Sequence, residues 1–113
     1  MTTSLNGLWT AAYSTHYGAG TGVVVLRDGI LMGGDTSYYY TGDYIVDGTS
    51  LDVNLVANHF AGPTNNVFGN LRQVRLRIRG SWNVSLIMAQ GYNVDRPQDR
   101  GTFKLQRVRG GEA

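Results

Sequence analysis

The stretch "RQVRLRIRG", residues 72–80, decides the fold class, because apolar and polar side chains alternate along it without interruption. One face would carry Val74, Leu76 and Ile78. The other face would carry Gln73, Arg75, Arg77 and Arg79. Since successive side chains of a β-strand point to opposite sides, this period of two predicts a strand with one buried face and one wet face.

Segments of the same kind follow one another along the chain, and short breaks separate them. Hairpin turns are predicted at Asp28-Gly29, Asp47-Gly48 and Gly80-Ser81, and longer connections at residues 61–71 and 93–100. The connection at residues 61–71 is the longest, and a helical turn is predicted around residues 65–69 within it. About eight consecutive strands result, and no segment has the pattern of an amphipathic helix.

Consecutive antiparallel strands in this number favour closure into a barrel, because closure leaves no unpaired edge to aggregate. The sequence therefore predicts an all-β fold: one domain, residues 1–113, that forms an eight-stranded up-and-down antiparallel barrel. A two-sheet sandwich is the structural alternative. An eight-stranded barrel is just wide enough to be filled by its own side chains or to keep one small ligand cavity.

The alternation also predicts which side chains fill the barrel. The inward rows are Trp9 with Ala11 and Tyr13, Val23 with Val25, Leu51 with Val53 and Leu55, Val74 with Leu76 and Ile78, Trp82 with Val84, Leu86 and Met88, and Phe103 with Leu105. In residues 37–46, Tyr38, Tyr40, Tyr44 and Val46 would share one side. Each large side chain that is fully buried there would contribute about 1.5–3 kcal/mol.

Composition narrows the class of protein. The 113 residues include no cysteine, which excludes disulfides and thiolate metal sites. The N-terminus lacks a basic segment followed by an apolar one, and no apolar run approaches the roughly 20 residues that span a bilayer. We therefore expect a cytoplasmic protein that does not enter a membrane.

Charge is unevenly distributed along the chain. Residues 1–70 hold one arginine against five aspartates, a net charge of −4, whereas residues 71–113 have a net charge of +6. A solvated basic face is the simpler interpretation. The more specific interpretation is a partner surface formed by Arg75, Arg77 and Arg79. It would attract an acidic partner or the acidic half of a second copy.

Two glycine clusters, residues 18–22 and 33–34, invite comparison with phosphate-binding loops. Such loops work because backbone N–H groups at the start of a helix point at the anion, and here both clusters run into strand patterns. Gly33 and Gly34 are therefore predicted to serve a tight turn or a close approach of strands. Asp35, directly after them, is predicted to accept backbone N–H bonds and hold the turn into residues 37–46.

No catalytic constellation is apparent. His16 and His59 each stand alone, without a metal-ligand spacing or a nucleophile beside them. We expect no enzymatic activity, no cofactor and no metal. Direct nucleic-acid binding is not expected either, because the aromatic side chains that would stack bases lie mostly outside the arginine-rich strand.

Several motifs together resemble a known family. They are "NGLW" at residues 6–9, "GTGVVVLRDG" at 20–29, "GGDTSYYYTGDY" at 33–44, "HFAG" at 59–62 and "NVFG" at 66–69. In this order they resemble the negative regulators of type III secretion known as the GrlR-like family, over about residues 6–107. The resemblance implies a lipocalin-like barrel that forms a homodimer, binds a transcriptional activator of secretion genes and performs no catalysis; lipid-like ligands have also been considered for the family.

One segment departs from the family. Its founding regulator has an exposed acidic run after the strand that follows Gly-Gly-Asp, and that run is tied to capture of the activator. This chain has Val-Asp-Gly-Thr-Ser at residues 46–50, an ordinary hairpin with a single acid.

Two functions follow as hypotheses. The first is a non-enzymatic barrel that holds a protein partner, such as a transcriptional activator. The alternative is a carrier or sensor of a small apolar, lipid-like molecule in the barrel interior. In that case Trp9, Tyr13, Tyr38, Tyr40 and Trp82 would wall the pocket.

Overall fold

A computed structural model describes residues 4–64 and 67–110, and these residues form a closed all-β barrel. The strands are β1 (Gly7–Thr15), β2 (Gly18–Arg27), β3 (Ile30–Gly34), β4 (Tyr38–Asp47), β5 (Ser50–His59), β6 (Gln73–Trp82), β7 (Leu86–Asn93) and β8 (Arg96–Gly110). Within the described ranges no residue is helical.

Each strand pairs antiparallel with the next, and β8 closes the barrel by pairing with β1. The closing ladder runs from Gly7 opposite Gly110 to Thr15 opposite Gly101. Every strand therefore has a neighbour on both sides, which removes the edges that would otherwise template aggregation. The predicted eight-stranded up-and-down barrel is confirmed, and the sandwich alternative is wrong.

Most connections are hairpins of two residues. At Asp28-Gly29 both residues have positive φ, 50° and 87°, as a tight Asp-Gly hairpin requires. The side chain of Asn6 secures this turn, because its Oδ1 accepts the backbone N–H of Asp28 at 2.9 Å and its Nδ2 donates to Asp28 Oδ1 at 3.0 Å. The N-terminal segment is thereby tied to the β2–β3 hairpin.

Two predicted connections were placed wrongly or in part, and the connection predicted at residues 61–71 is present without a helical turn in its described residues. Strand β6 continues through Gly80-Ser81 to Trp82, and the turn lies at residues 83–85. Strand β8 already begins at Arg96, so the loop predicted at residues 93–100 shrinks to residues 94–95. Residues 65 and 66 of the predicted helical turn lie outside the described residues, and residues 67–70 are not helical.

The predicted inward row of β2 is wrong. Val23 and Val25 are exposed, whereas Val24 and Leu26 are buried. Cross-strand partners in an antiparallel pair face the same side, and Val24 pairs with the buried Trp9. The run of three valines contains no polar residue that would have revealed this phase.

The inward row of β7 was also predicted in the wrong phase. Val84 and Met88 are exposed, and Leu86 is only partly buried. The buried side chains are Ile87 and Ala89. The reason is the register of the hairpin: Trp82 pairs with Ile87, so an even number of residues, 83–86, separates the two inward partners and reverses the alternation that continues from Trp82.

The remaining predicted rows do face the core, which fills the barrel from one end to the other. Its buried members include Trp9, Ala11, Tyr38, Tyr40, Tyr44, Leu51, Val53, Leu55, Val74, Leu76, Ile78 and Phe103, with Tyr13 and Leu105 partly buried against them. Val46 lies at the exposed end of its row. The end of the barrel that carries Tyr13 and Tyr40 is called the tyrosine end below, and the opposite end, with Trp9 and Trp82, the tryptophan end.

Candidate functional site

A cavity of about 100 Å³ lies in the barrel interior. Tyr13, Tyr38 and Tyr40, three of the five residues predicted to wall an interior pocket, line it. Trp9 and Trp82 do not line it, because both are packed into the tryptophan end. The rest of the wall is almost entirely aliphatic or aromatic, with Asp35 as the charged exception.

Tyr13, Asp35 and Tyr40 form a compact polar group at one side of this cavity, which we call the tyrosine–aspartate cluster. The Tyr13 hydroxyl donates to Asp35 Oδ2 at 2.8 Å, and the Tyr40 hydroxyl donates to the same oxygen. The two hydroxyl oxygens are 2.8 Å apart. A buried carboxylate needs such donors, since an unpaired one would be strongly disfavoured.

The sequence around Asp35 builds the turn that positions its carboxylate. Asp35 Oδ1 accepts the backbone N–H groups of Ser37 and Tyr38, each at 2.9 Å, which are the turn contacts expected from the sequence. A Cβ on Gly33 would lie 2.1 Å from the carbonyl oxygen of Val23, so only glycine permits this approach of β3 to β2. A Cβ on Gly34 would lie 2.9 Å from the carbonyl oxygen of Tyr38.

The cluster holds fixed protonation states around neutral pH. Partial burial alone would raise the pKa of the Asp35 carboxyl, but hydrogen bonds from Tyr40, from two backbone N–H groups and from Tyr13 lower it below its usual value. Burial, together with the hydrogen bonds with Asp35 and Tyr13, raises the pKa of the Tyr40 hydroxyl well above its usual value. Burial likewise raises the pKa of Tyr13. Asp35 is thus a carboxylate and both tyrosines are neutral at pH 7.

The connection between β5 and β6 packs over the tyrosine end. Phe68 is buried there and stacks on Phe103, with ring centroids 6.4 Å apart. The hydroxyl of Thr15 donates to the carbonyl oxygen of Val67, and the hydroxyl of Tyr38 donates to that of Leu71 at 2.5 Å. Val67 and Phe68 of this connection thereby line the interior cavity.

The tryptophan end is closed by the N-terminal segment. Trp9 is fully buried, and its Nε1–H donates to the carbonyl oxygen of Leu5 at 2.9 Å. The guanidinium of Arg107 lies 4.4 Å from the Trp9 ring centroid and donates to the carbonyl oxygens of Ser4 and Asn6. Trp82 is partly buried, and its Nε1–H donates to the carbonyl oxygen of Gly48 at 3.1 Å.

The three arginines predicted as a partner surface do face outward on β6, but they differ in their partners. Arg75 forms an ion pair with Asp95 at 2.5 Å, and Arg79 forms one with Asp52 at 2.6 Å. Arg77 forms no ion pair with any residue in the ranges 4–64 and 67–110. Exposed pairs of this kind contribute little to stability. Because two of the three arginines are paired, the positive charge of the strand is only partly neutralised.

Arg77 and Arg79 also form one side of a groove of about 1430 Å³ on the outside of the barrel, which we call the cationic groove. Arg100 and Lys104 of β8 line it as well, with Met88, Gln90 and Tyr92 of β7 between the two strands. The sequence pattern did not group the residues of β7 and β8 with the arginines of β6. Only the strand register, which brings Arg77 beside Tyr92 and Tyr92 beside Arg100, reveals them.

A second outward feature is a row of exposed apolar side chains across β1, β2 and β3, called the apolar row below. Leu8 pairs with Val25, and Val25 pairs with Met32. Their exposed fractions are 37%, 38% and 51%. The row continues to the polar Thr41 on one side and to Arg109 on the other, so it has a polar rim.

Both histidines contact neighbouring groups near the tyrosine end. His16 packs against Tyr17 with ring centroids 4.1 Å apart, and His59 Nε2 lies 2.6 Å from the carbonyl oxygen of Gly62. Over residues 4–64 and 67–110 there is no group of three metal-ligating side chains. In the same part of the chain no helix has the length and apolar character needed to cross a membrane.

The class of protein that the fold defines is a closed β-barrel whose interior is largely occupied by its own side chains. No protein-family model matches the chain, and a comparison with curated proteins finds no match. The resemblance to negative regulators of type III secretion therefore rests on the motifs given above.

Proposed function

We propose that this protein is a non-enzymatic binding barrel of the cytoplasm that holds a protein partner on its outer face. The motifs from residues 6 to 69 support a role like that of the negative regulators of type III secretion, with a transcriptional activator as the partner. They equally support a homodimer as the form in which the barrel acts. The interior serves the fold, and the outer face serves binding.

The apolar row is the observation that carries this proposal. Leu8, Val25 and Met32 lie side by side on three adjacent strands, and all three are exposed. Val23 and Ile30 extend the patch on the same face, with exposed fractions of 48% and 49%. A contiguous apolar surface with a polar rim is typical of a protein–protein interaction site, whereas single scattered apolar residues would need no explanation.

The tyrosine–aspartate cluster supports the non-enzymatic part of the proposal. A general acid or base works best with a pKa near the operating pH. In the cluster the pKa of Asp35 is lowered and those of Tyr13 and Tyr40 are raised, so all three move away from neutrality. The carboxylate is also occupied by four hydrogen bonds from the protein itself.

The test is capture of the partner by the immobilised barrel from a lysate of the cell that encodes it. The variant Val25→Lys with Met32→Lys places two charges in the apolar row. The control variant Asn54→Lys with Thr49→Lys adds the same charge at exposed positions of β5 and the β4–β5 turn. We expect one protein, identified by mass spectrometry, to be retained by the wild type and the control and lost from the first variant. Equal retention by both variants, or no retained protein, would contradict the proposal.

The interior cavity supports a second candidate, a sensor of a small apolar molecule. Its volume of about 100 Å³ is below the roughly 300–1,000 Å³ of pockets that bury drug-sized ligands, and benzene occupies an engineered cavity of about 150 Å³. A ligand would therefore have only a few heavy atoms. Organic extraction of the purified protein followed by mass spectrometry decides this: a stoichiometric small molecule supports the sensor, and its absence removes it.

A further inference from the structure

We propose that the cationic groove receives an acidic, extended segment of the protein partner, which lies along β7 between two rows of cations. This inference rests on the proposed function, because it names the chemistry of the partner. It concerns a different face from the apolar row: the groove spans β6, β7, β8, β1 and β2, and its cations lie on β6 and β8.

The strand register places positive charge on both walls of the groove. Tyr92 of β7 has Arg77 of β6 beside it on one side and Arg100 of β8 on the other. One step along the same face, Gln90 lies beside Arg79. Next along β7, Met88 lies beside Lys104. A segment lying over β7 therefore has cations on both sides, from β6 on one side and from β8 on the other.

The spacing of the walls fits a polypeptide. Neighbouring strands lie about 4.8 Å apart, so Cα atoms on β6 and β8 are separated by roughly 10 Å. The side chains of an extended segment alternate between two sides, so its carboxylates reach both walls. A single strand of nucleic acid carries its phosphates along one side and its bases along the other, which suits one cationic wall and a row of stacking aromatics. Tyr92 is the one aromatic ring in the groove with outward orientation.

The cations of the groove are largely available to a partner. Arg77, Arg100 and Lys104 have no ion-pair partner among the residues that the structure describes, and Arg79 pairs with Asp52. Among residues 4–64 and 67–110, no carboxylate side chain lines the groove. By contrast, Arg75, which lies outside the groove, is neutralised by Asp95. The local charge of the groove therefore attracts a negative partner and opposes a positive one.

Small side chains line the part of the groove that lies beyond β8. They are Ala12 and Ser14 of β1 and Ala19 and Thr21 of β2. Ala12 pairs with Lys104 of β8, so a short side chain lies beside a long cationic one. Ser14, Gln90 and Thr102 supply hydroxyl and amide groups, and Tyr92, with 38% of its surface exposed, supplies an apolar ring.

The experiment measures binding of a fluorescein-labelled octaglutamate peptide by fluorescence anisotropy, at low and at physiological salt. The variant Arg77→Glu with Arg100→Glu reverses one charge on each wall. The control variant Arg27→Glu with Arg72→Glu changes the net charge equally at exposed arginines outside the groove. We expect the groove variant to bind about tenfold more weakly than the wild type, and the control by less than about threefold.

Three results would overturn the proposal. The first is equal weakening in both variants, which would mean attraction by net charge alone. The second is tighter binding of an eight-nucleotide thymidine strand than of octaglutamate, which would make the groove a nucleic-acid site. The third is loss of self-association in the groove variant, seen by analytical ultracentrifugation, which would assign the groove to a second copy of this chain.

The same variants separate this inference from the proposed function. If the groove variant still retains the partner that the wild type captures from the lysate, the barrel holds a partner but the groove does not receive it. If neither the wild type nor the control captures any protein, the proposed function itself has failed.

Discussion

Trp9 is fully buried inside the barrel, while Val25, on the neighbouring strand, leaves 38% of its surface on the outside. The same contrast holds for charged groups. Asp35, at the wall of the interior cavity, accepts four hydrogen bonds from its own chain, whereas Arg77, on the outer face, has no ion-pair partner within residues 4–64 and 67–110. Asp35 therefore has its partners within its own chain, whereas Arg77 has no ion-pair partner among the residues that the structure describes.

This difference indicates that the outer face of a small barrel, more than its interior, is available for binding. An eight-stranded barrel has barely enough interior for its own side chains, and here about 100 Å³ remains. Substitutions inside should therefore change stability, and substitutions outside should change binding. Substitutions at matched inner and outer positions test that division.

Replacing Trp9 by alanine should have the largest effect. It removes a fully buried ring, the hydrogen bond to Leu5 and the contact with Arg107. We expect a loss of about 3–5 kcal/mol in the free energy of unfolding, measured by urea denaturation. Trp82→Ala, the same substitution at a partly buried site, should lower the free energy of unfolding clearly less. Equal losses would contradict the difference in burial between the two tryptophans.

Asp35→Asn should have an intermediate effect. The amide keeps one acceptor oxygen but loses the charge that accepts two tyrosine hydroxyls, so we expect a loss of about 1–3 kcal/mol. Asp43→Asn, on the exposed face of β4, should change the free energy of unfolding by less than about 0.5 kcal/mol.

The effect of Asp35→Asn should also depend on pH. Because the pKa of Asp35 is lowered in the folded protein, its charge stabilises the fold fully above the unfolded value of about 3.9, and this contribution is lost as the pH falls through the folded pKa. The stability difference between wild type and Asp35→Asn should therefore shrink below about pH 4. A difference that stays constant down to pH 2 would show that the charge of Asp35 is not what stabilises the turn.

The last comparison is between two adjacent valines of β2, one inside the barrel and one outside. Val24→Ala removes buried methyl groups and should cost about 1.5–2.5 kcal/mol. Val25→Ala removes methyl groups from the outer face and should cost less than about 0.5 kcal/mol. The reverse order, measured by thermal or urea unfolding, would mean that β2 is turned the other way and that the apolar row faces inward.

How much of the fold could be read from the sequence depended on the polar residues within each strand. The arginines of β6 mark its wet face, so Val74, Leu76 and Ile78 were assigned correctly to the core. The three valines of β2 carry no such mark, and their phase is set only by pairing with β1. In β7 the turn at residues 83–85 reversed the phase, and no local signal fixed the length of that turn.

The candidate sites were harder to predict, because they depend on register between strands. Asp35 could be assigned to its turn from the glycines before it, but its contacts with Tyr13 and Tyr40 join residues on different strands. Tyr92, Arg100 and Lys104 were missed for the same reason. Their grouping with Arg77 follows from pairing of β6 with β7 and of β7 with β8, which no periodicity within a single strand can show.

Native mass spectrometry distinguishes a protein partner on the outer face from a small apolar molecule in the interior. The barrel is purified for it without denaturation from the cell that encodes it. We expect species that contain the 12.3 kDa chain or its multiples, alone or with another protein, and without any small-molecule adduct. A stoichiometric apolar adduct that survives transfer into the gas phase, with no protein bound, would contradict this expectation.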